Sequence, residues 1–145
     1  MTRQEFIEKL TEVRLTAGIK RKDICLMMNI MERSRYRMES ATYNSPMDKV
    51  LQYLNVVNFR IYLIDEKGGD PFFISKYKDI GEWVKTSRKS NYTQQTLAEQ
   101  MPCSCTVINN TESGKGTMGL DLFLRLAEVL GFSIDFVPAN LQNNE

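Results

Sequence analysis

Tyr92-Thr-Gln-Gln-Thr-Leu-Ala-Glu99, followed by Ser104-Cys-Thr-Val-Ile-Asn-Asn-Thr-Glu-Ser-Gly114, is the stretch from which the rest of the chain can be read. Thr93 and Ser104 each precede a short helical run, where a hydroxyl can accept from an unpaired amide of the first turn. Upstream, Ile80, Trp83, Val84 and Ser87 fall on one face of a preceding helix. Downstream, Leu120, Phe123, Leu124, Ala127 and Leu130 form the inward face of a last helix, with Thr117 as its expected cap and Gly131 as its stop. The run 132–137 then alternates, with Phe132, Ile134 and Phe136 on one side, as a half-buried strand does.

Working outward, a shift of 73 residues lays this half of the chain on the other. Met28 falls on Met101, Glu39-Ser40 on Glu112-Ser113, and Asp48, Leu51 and Val56 on Asp121, Leu124 and Val129. Phe59 and Ile61 fall on Phe132 and Ile134. The first half therefore reads as the same four helices and a strand. Thr2-x-x-Glu5 is a capping box for a helix with Phe6, Leu10, Val13 and Ala17 on one face, stopped by Gly18. Short helices are expected over 20–28 and 31–40. Ser45 and Pro46 read as N-cap and first residue of a helix carrying Val50, Leu51, Leu54 and Val57 inward. Phe59, Ile61 and Leu63 then share one side of a strand. The turn-rich Asp65-Glu-Lys-Gly-Gly-Asp-Pro71 marks the boundary, giving domains at 1–65 and 79–145 with a linker at 66–78.

The second half resembles the phage-repressor/Cro-type (XRE) helix-turn-helix family. The resemblance rests on Ile80-Gly-Glu-Trp-Val-Lys-Thr-Ser-Arg-Lys89, on the two segments quoted first, and on Phe123-Leu-Arg-Leu-Ala-Glu-Val-Leu-Gly131. The first half matches more thinly. Arg14-x-x-x-Gly18-Ile19 and Glu39 keep the spacing, but Arg21 replaces the usual glutamine and Arg35 stands at a core position, so its third helix is expected to be rotated or shifted by a residue. The resemblance implies a mainly α protein: two tandem lambda-repressor-like domains, each followed by a short strand. It implies a sequence-specific transcriptional regulator of double-stranded DNA with the third helix of each repeat in the major groove. By matching position, Thr93 and Gln94 would meet phosphate, and Ser104, Cys105, Thr106, Val107, Asn109 and Asn110 would face bases or flanking phosphates. Lys115 and Thr117 would hold the far backbone. It also implies two internal ion pairs, Arg14 with Glu39 and Arg88 with Glu112.

Charge is unevenly placed. The whole chain is near neutral at +1, but residues 1–64 hold 11 Lys and Arg against 7 Asp and Glu, whereas 80–145 hold 5 against 7. Lys20, Arg21 and Lys22 open the second helix and Arg33 and Arg37 share a face of the third, an electrostatic footprint on the half with the weaker motif. Which repeat dominates DNA binding stays open at this point.

Other chemistries have little to stand on. There is no histidine, so the commonest general base and zinc ligand is missing, and Cys103 and Cys105 are too close for a metal knuckle. No glycine-rich phosphate loop occurs. No enzyme activity, metal or cofactor is expected, and the three cysteines read as reduced, half-buried thiols. No apolar run is long enough to span a membrane, and residues 1–10 lack a signal-peptide core, so the expected compartment is the cytoplasm. Two alternatives keep the fold and change the partner: an antitoxin that also holds a toxin protein, and an interaction module without DNA binding. The two strands are expected to pair with each other inside the chain, making the monomer an imitation of a dimer, with a homodimer through these strands as the competing arrangement.

Overall fold

The computed structural model describes residues 1–139. It is mainly helical, with a small three-stranded sheet. Helices α1 (Arg3–Thr16), α2 (Arg21–Met28), α3 (Glu32–Met38) and α4 (Met47–Val56) lead into strand β1 (Phe59–Asp65). Strand β2 (Phe72–Ile74) follows, then α5 (Tyr77–Arg88), α6 (Gln94–Gln100), α7 (Cys105–Glu112), α8 (Leu120–Leu130) and β3 (Phe132–Pro138).

Local chemistry accounts for several helix ends. The Thr2 hydroxyl accepts from Glu5 N and the Glu5 carboxylate accepts from Thr2 N, which closes the expected box. Thr93 and Ser104 cap α6 and α7 by accepting from Thr96 N and Val107 N. Gly131 ends α8 at φ 80°, the left-handed conformation that leaves the chain free to turn directly into β3.

Two expected caps are not made. Pro46, not Ser45, is the N-cap of α4, and the buried Ser45 hydroxyl has no hydrogen-bond partner among the described residues. Gly119 is the N-cap of α8, and the partner for its first turn is Asn44, whose Oδ1 accepts from Asp121 N at 3.0 Å. Asn44 is the residue that the 73-residue shift lays on Thr117, so the cap comes from the other half of the chain.

The sheet runs in the order β2-β1-β3, with both pairings antiparallel. In the β1–β3 register Ile61 faces Phe136, Leu63 faces Ile134, and Tyr62 faces Asp135 at the centre. Tyr62 and Asp135 are equivalent under the internal repeat, so this ladder is centred on a pseudo-two-fold axis. A second crossing lies on the same axis. Pro46 bridges Gly119, again two equivalent positions. It is flanked by Met47 N donating to Met118 O and Leu120 N donating to Ser45 O, both at 2.8 Å. Those two bonds exchange under the repeat. Helices α4 and α8, about 15 Å long, run from the one crossing to the other and touch across the axis.

The core is built around that axis. Ile61, Leu63 and Ile74 are almost wholly buried on the inner face of the sheet, in one core with Leu54, Trp83, Leu120 and Phe123. Phe6 of α1 meets Phe136 of β3 edge-on at 5.1 Å between centroids, and Trp83 meets Phe132 at 5.7 Å. Arg3 reaches across from α1 to form an ion pair with Asp121 at the start of α8.

Residues 66–78, which read as a linker, are more ordered than that. Asp65 Oδ1 accepts from Lys67 N, Gly68 turns at φ 86°, and the chain returns as β2 beside β1. Helix α5 then begins at Tyr77, before the boundary placed at 79. Both halves therefore contribute to one sheet, because β1 without a neighbour on each side would leave its amides and carbonyls unpaired.

The register makes a direct test. With Cys25, Cys103 and Cys105 replaced by serine, the pair Tyr62→Cys and Asp135→Cys should oxidise to a monomeric, faster-migrating species on a non-reducing gel, since opposed residues of an antiparallel ladder lie within disulfide reach. A covalent dimer in place of that species would contradict pairing within the chain.

Candidate nucleic-acid interface

In the second half, α7 packs against both α5 and α6. The α5 crossing is close because Gly81 lies in it: a Cβ there would stand 2.2 Å from Thr111 O. Ile108 and Thr111 are the buried residues of α7. Its opposite side presents Thr106 and Asn109 fully and Cys105, Val107 and Asn110 in part, and the cap Ser104 is exposed. Lys115 and Thr117 are exposed in the following loop, which Gly114 and Gly116 turn with φ of 74° and 78°.

This face is held from behind by one carboxylate. Arg88 donates through Nε and Nη2 to Glu112, and Gln94 Nε2 donates to Glu112 Oε1 at 3.1 Å. Gln94 therefore has a definite position, half-buried between Glu112 and Asn109 Oδ1 at 3.5 Å, and it ties α6 to the end of α7. Burial acts to raise the pKa of Glu112, but the hydrogen bonds from Arg88 and Gln94 outweigh it and hold the carboxyl below its ordinary range.

The first half uses the same brace with other partners. Arg14 Nε lies 2.8 Å from Glu39 Oε2, with both side chains buried. Arg35 Nη1 donates to Glu39 Oε1 at 2.7 Å and Tyr53 Oη donates to Oε2 at 2.6 Å. Arg21, at the place of Gln94, is exposed and takes no part. Burial and the Glu39 carboxylate push the Tyr53 hydroxyl far up, so it stays protonated as a donor.

Arg35 does not rotate the helix, contrary to the expectation. Arg35 and Met38 are the buried residues of α3, at the positions of Ile108 and Thr111 in α7. The guanidinium is accommodated in place by two carboxylates, Glu32 and Glu39, one turn to either side. What differs is the crossing: Glu8, exposed, stands on α1 where Gly81 stands on α5, and α3 has no equally close approach to its first helix.

The remaining predicted residues of the first half are all on the surface. Lys20, Arg21 and Lys22 are exposed at the start of α2, and Arg33 and Arg37 are exposed on one side of α3, with Arg37 5.8 Å from the Tyr43 ring centroid. Sequence reasoning passes over the apolar residues among them. Met31 is 79% exposed, Leu26 75% and Tyr36 66%. The repeat carries the signal: Met31 falls on Ser104 and Tyr36 on Asn109, so apolar groups stand where the second half is polar.

No group of three potential metal ligands occurs among the described residues. Burial raises the Cys103 thiol, and burial with the Glu32 carboxylate raises Cys25, which keeps both protonated. No described helix is long and apolar enough to cross a membrane. No family model matches the chain, and neither does any curated protein or solved structure.

Two outcomes follow from the braces. Glu39→Ala leaves the buried Arg14 guanidinium without a carboxylate and Arg35 with Glu32 alone, and should cost about 3–5 kcal/mol in urea unfolding. A decrease below about 1 kcal/mol would show that the pair is not buried as described. Glu112 has a folded pKa below its unfolded value of about 4.3, so its contribution is full above that pH and fades as pH falls through the lower folded value. The stability difference between the native chain and Glu112→Gln should therefore be larger at pH 7 than at pH 3. An unchanged difference would contradict the brace.

Proposed function

We propose that this chain is a sequence-specific double-stranded DNA-binding transcriptional regulator of the phage-repressor/Cro type, built as two tandem helix-turn-helix units in one polypeptide. In this reading α2–α3 and α6–α7 are the two units, and α3 and α7 each enter the major groove. The observation that carries it is the internal axis, seen in the exchanged Met47–Met118 and Leu120–Ser45 bonds and the ladder centred on Tyr62 and Asp135. The loops that follow α3 and α7 meet on that axis at Pro46 and Gly119. Two equivalent helices related by a dyad match the local symmetry of duplex DNA, so a single chain supplies what two subunits otherwise supply.

Charge and exposure support a division of labour. Lys20, Arg21, Lys22, Arg33 and Arg37 give the first unit its attraction for phosphate, which reads no sequence by itself. Thr106, Asn109 and Asn110 give the second unit hydroxyl and amide groups that suit base edges. A second reading, in which the chain holds a protein partner as antitoxins do, is favoured by Leu26 and Met27, both more than half exposed on α2.

Measured by fluorescence anisotropy over a salt series, Arg33→Ala with Arg37→Ala should weaken binding to all duplexes alike. The salt slope should fall by up to about 1.8, or about 0.9 for each phosphate that is no longer neutralised. A slope equal to that of the unaltered chain would remove the first unit from the DNA. Capture of duplex at no salt concentration would overturn the function itself.

A further inference from the structure

The two reading faces are related by the dyad, yet they are chemically unlike. The repeat sets Met31 against Ser104, Arg33 against Thr106, Tyr36 against Asn109 and Arg37 against Asn110. Of these eight side chains, seven are exposed and Asn110 is partly so. A homodimer presents the same face twice and is thereby bound to a palindrome. A chain that carries both faces in one polypeptide is released from that constraint.

Resting on the DNA-binding reading above, we infer that this protein binds, as one chain per site, a non-palindromic duplex made of two inverted and unlike half-sites. The second face carries two amides, Asn109 and Asn110, and amides pair bidentately with adenine N6 and N7. Its half-site contains adenine. The first face carries the apolar Met31 and Tyr36, which suit thymine methyl groups, beside Arg33 and Arg37, whose charge goes to phosphate. Its half-site contains thymine. Glu32, the one acidic residue of α3, is exposed, with its carboxylate paired to Arg35.

Selection from a random duplex library with the full chain tests this. The expected product is a bipartite site whose halves differ and whose centres lie about 10 base pairs apart, bound one to one by native mass spectrometry. Asn110→Ala should relax preference in the adenine half alone, by roughly 5- to 150-fold at its base pair. Met31→Ser, Arg33→Thr, Tyr36→Asn and Arg37→Asn, made together at exposed positions, copy the second face onto the first. The combined variant should select an inverted repeat of the adenine half. Selection of an inverted repeat by the unaltered chain, or two chains per site, overturns the inference and leaves DNA binding intact. An unchanged first half-site in the combined variant also overturns it. Failure to select any duplex overturns both the inference and the function beneath it.

Discussion

The pairing of β1 with β3 is the constraint on which the rest of the structure depends. Two four-helix units joined by a short connector could sit in many orientations. Seven residues of each strand, laddered about Tyr62 and Asp135, leave one. The ladder closes because β2 covers the other edge of β1 and because Ile61, Leu63 and Ile134 bury their side chains against helices from both units. A one-residue slip would turn that apolar set to solvent, so register and burial enforce each other. The second crossing at Pro46 and Gly119 then fixes the start of α4 and α8. A side chain at Gly119 would meet the Asn44 amide, whose carbonyl oxygen caps α8 from the opposite unit.

Within each unit, one buried carboxylate fixes the position of the third helix. Glu112 and Glu39 occupy the same place and receive an arginine from the first helix, Arg88 or Arg14. Their other partners differ, and the difference bears on what each unit exposes. Gln94 is drawn inward to Glu112, which stiffens the polar face of α7. In the first unit Arg35 and Tyr53 fill the coordination of Glu39, and Arg21 is left on the surface beside Lys20 and Lys22. The more basic unit is thus basic partly because its brace is satisfied from within the core.

Much of this is legible in the sequence, and the pattern of success has a physical cause. Thr2, Thr93, Ser104 and Gly131 act on amides and carbonyls within a few residues, so their effects follow from neighbours in the chain. Two equivalent alternating runs mark both strands and favour pairing inside the chain over pairing between chains. The cap of α8 escapes such reading because its partner, Asn44, is 77 residues from the amide it serves. Strand β2 escapes notice because three residues after a proline are too few to show alternation. Arg35 reads as a reason for rotation, although Glu32 and Glu39 stand at the spacings that form ion pairs on one helix face. Met31 and Tyr36 do not stand out, since an apolar residue in a helix is read first as core, and only placement shows that it faces outward.

If one chain holds two reading helices at the separation of adjacent major grooves, that separation can be measured. The most direct measurement is the distance between spin labels at Arg33 and Thr106, equivalent positions on α3 and α7, by pulsed electron paramagnetic resonance with and without duplex DNA. The expected result is a single distance near one turn of the duplex, about 34 Å, that does not change with protein concentration and shifts little on binding. A broad distribution, a distance far short of one helical turn, or a distance that appears only when chains associate would contradict it.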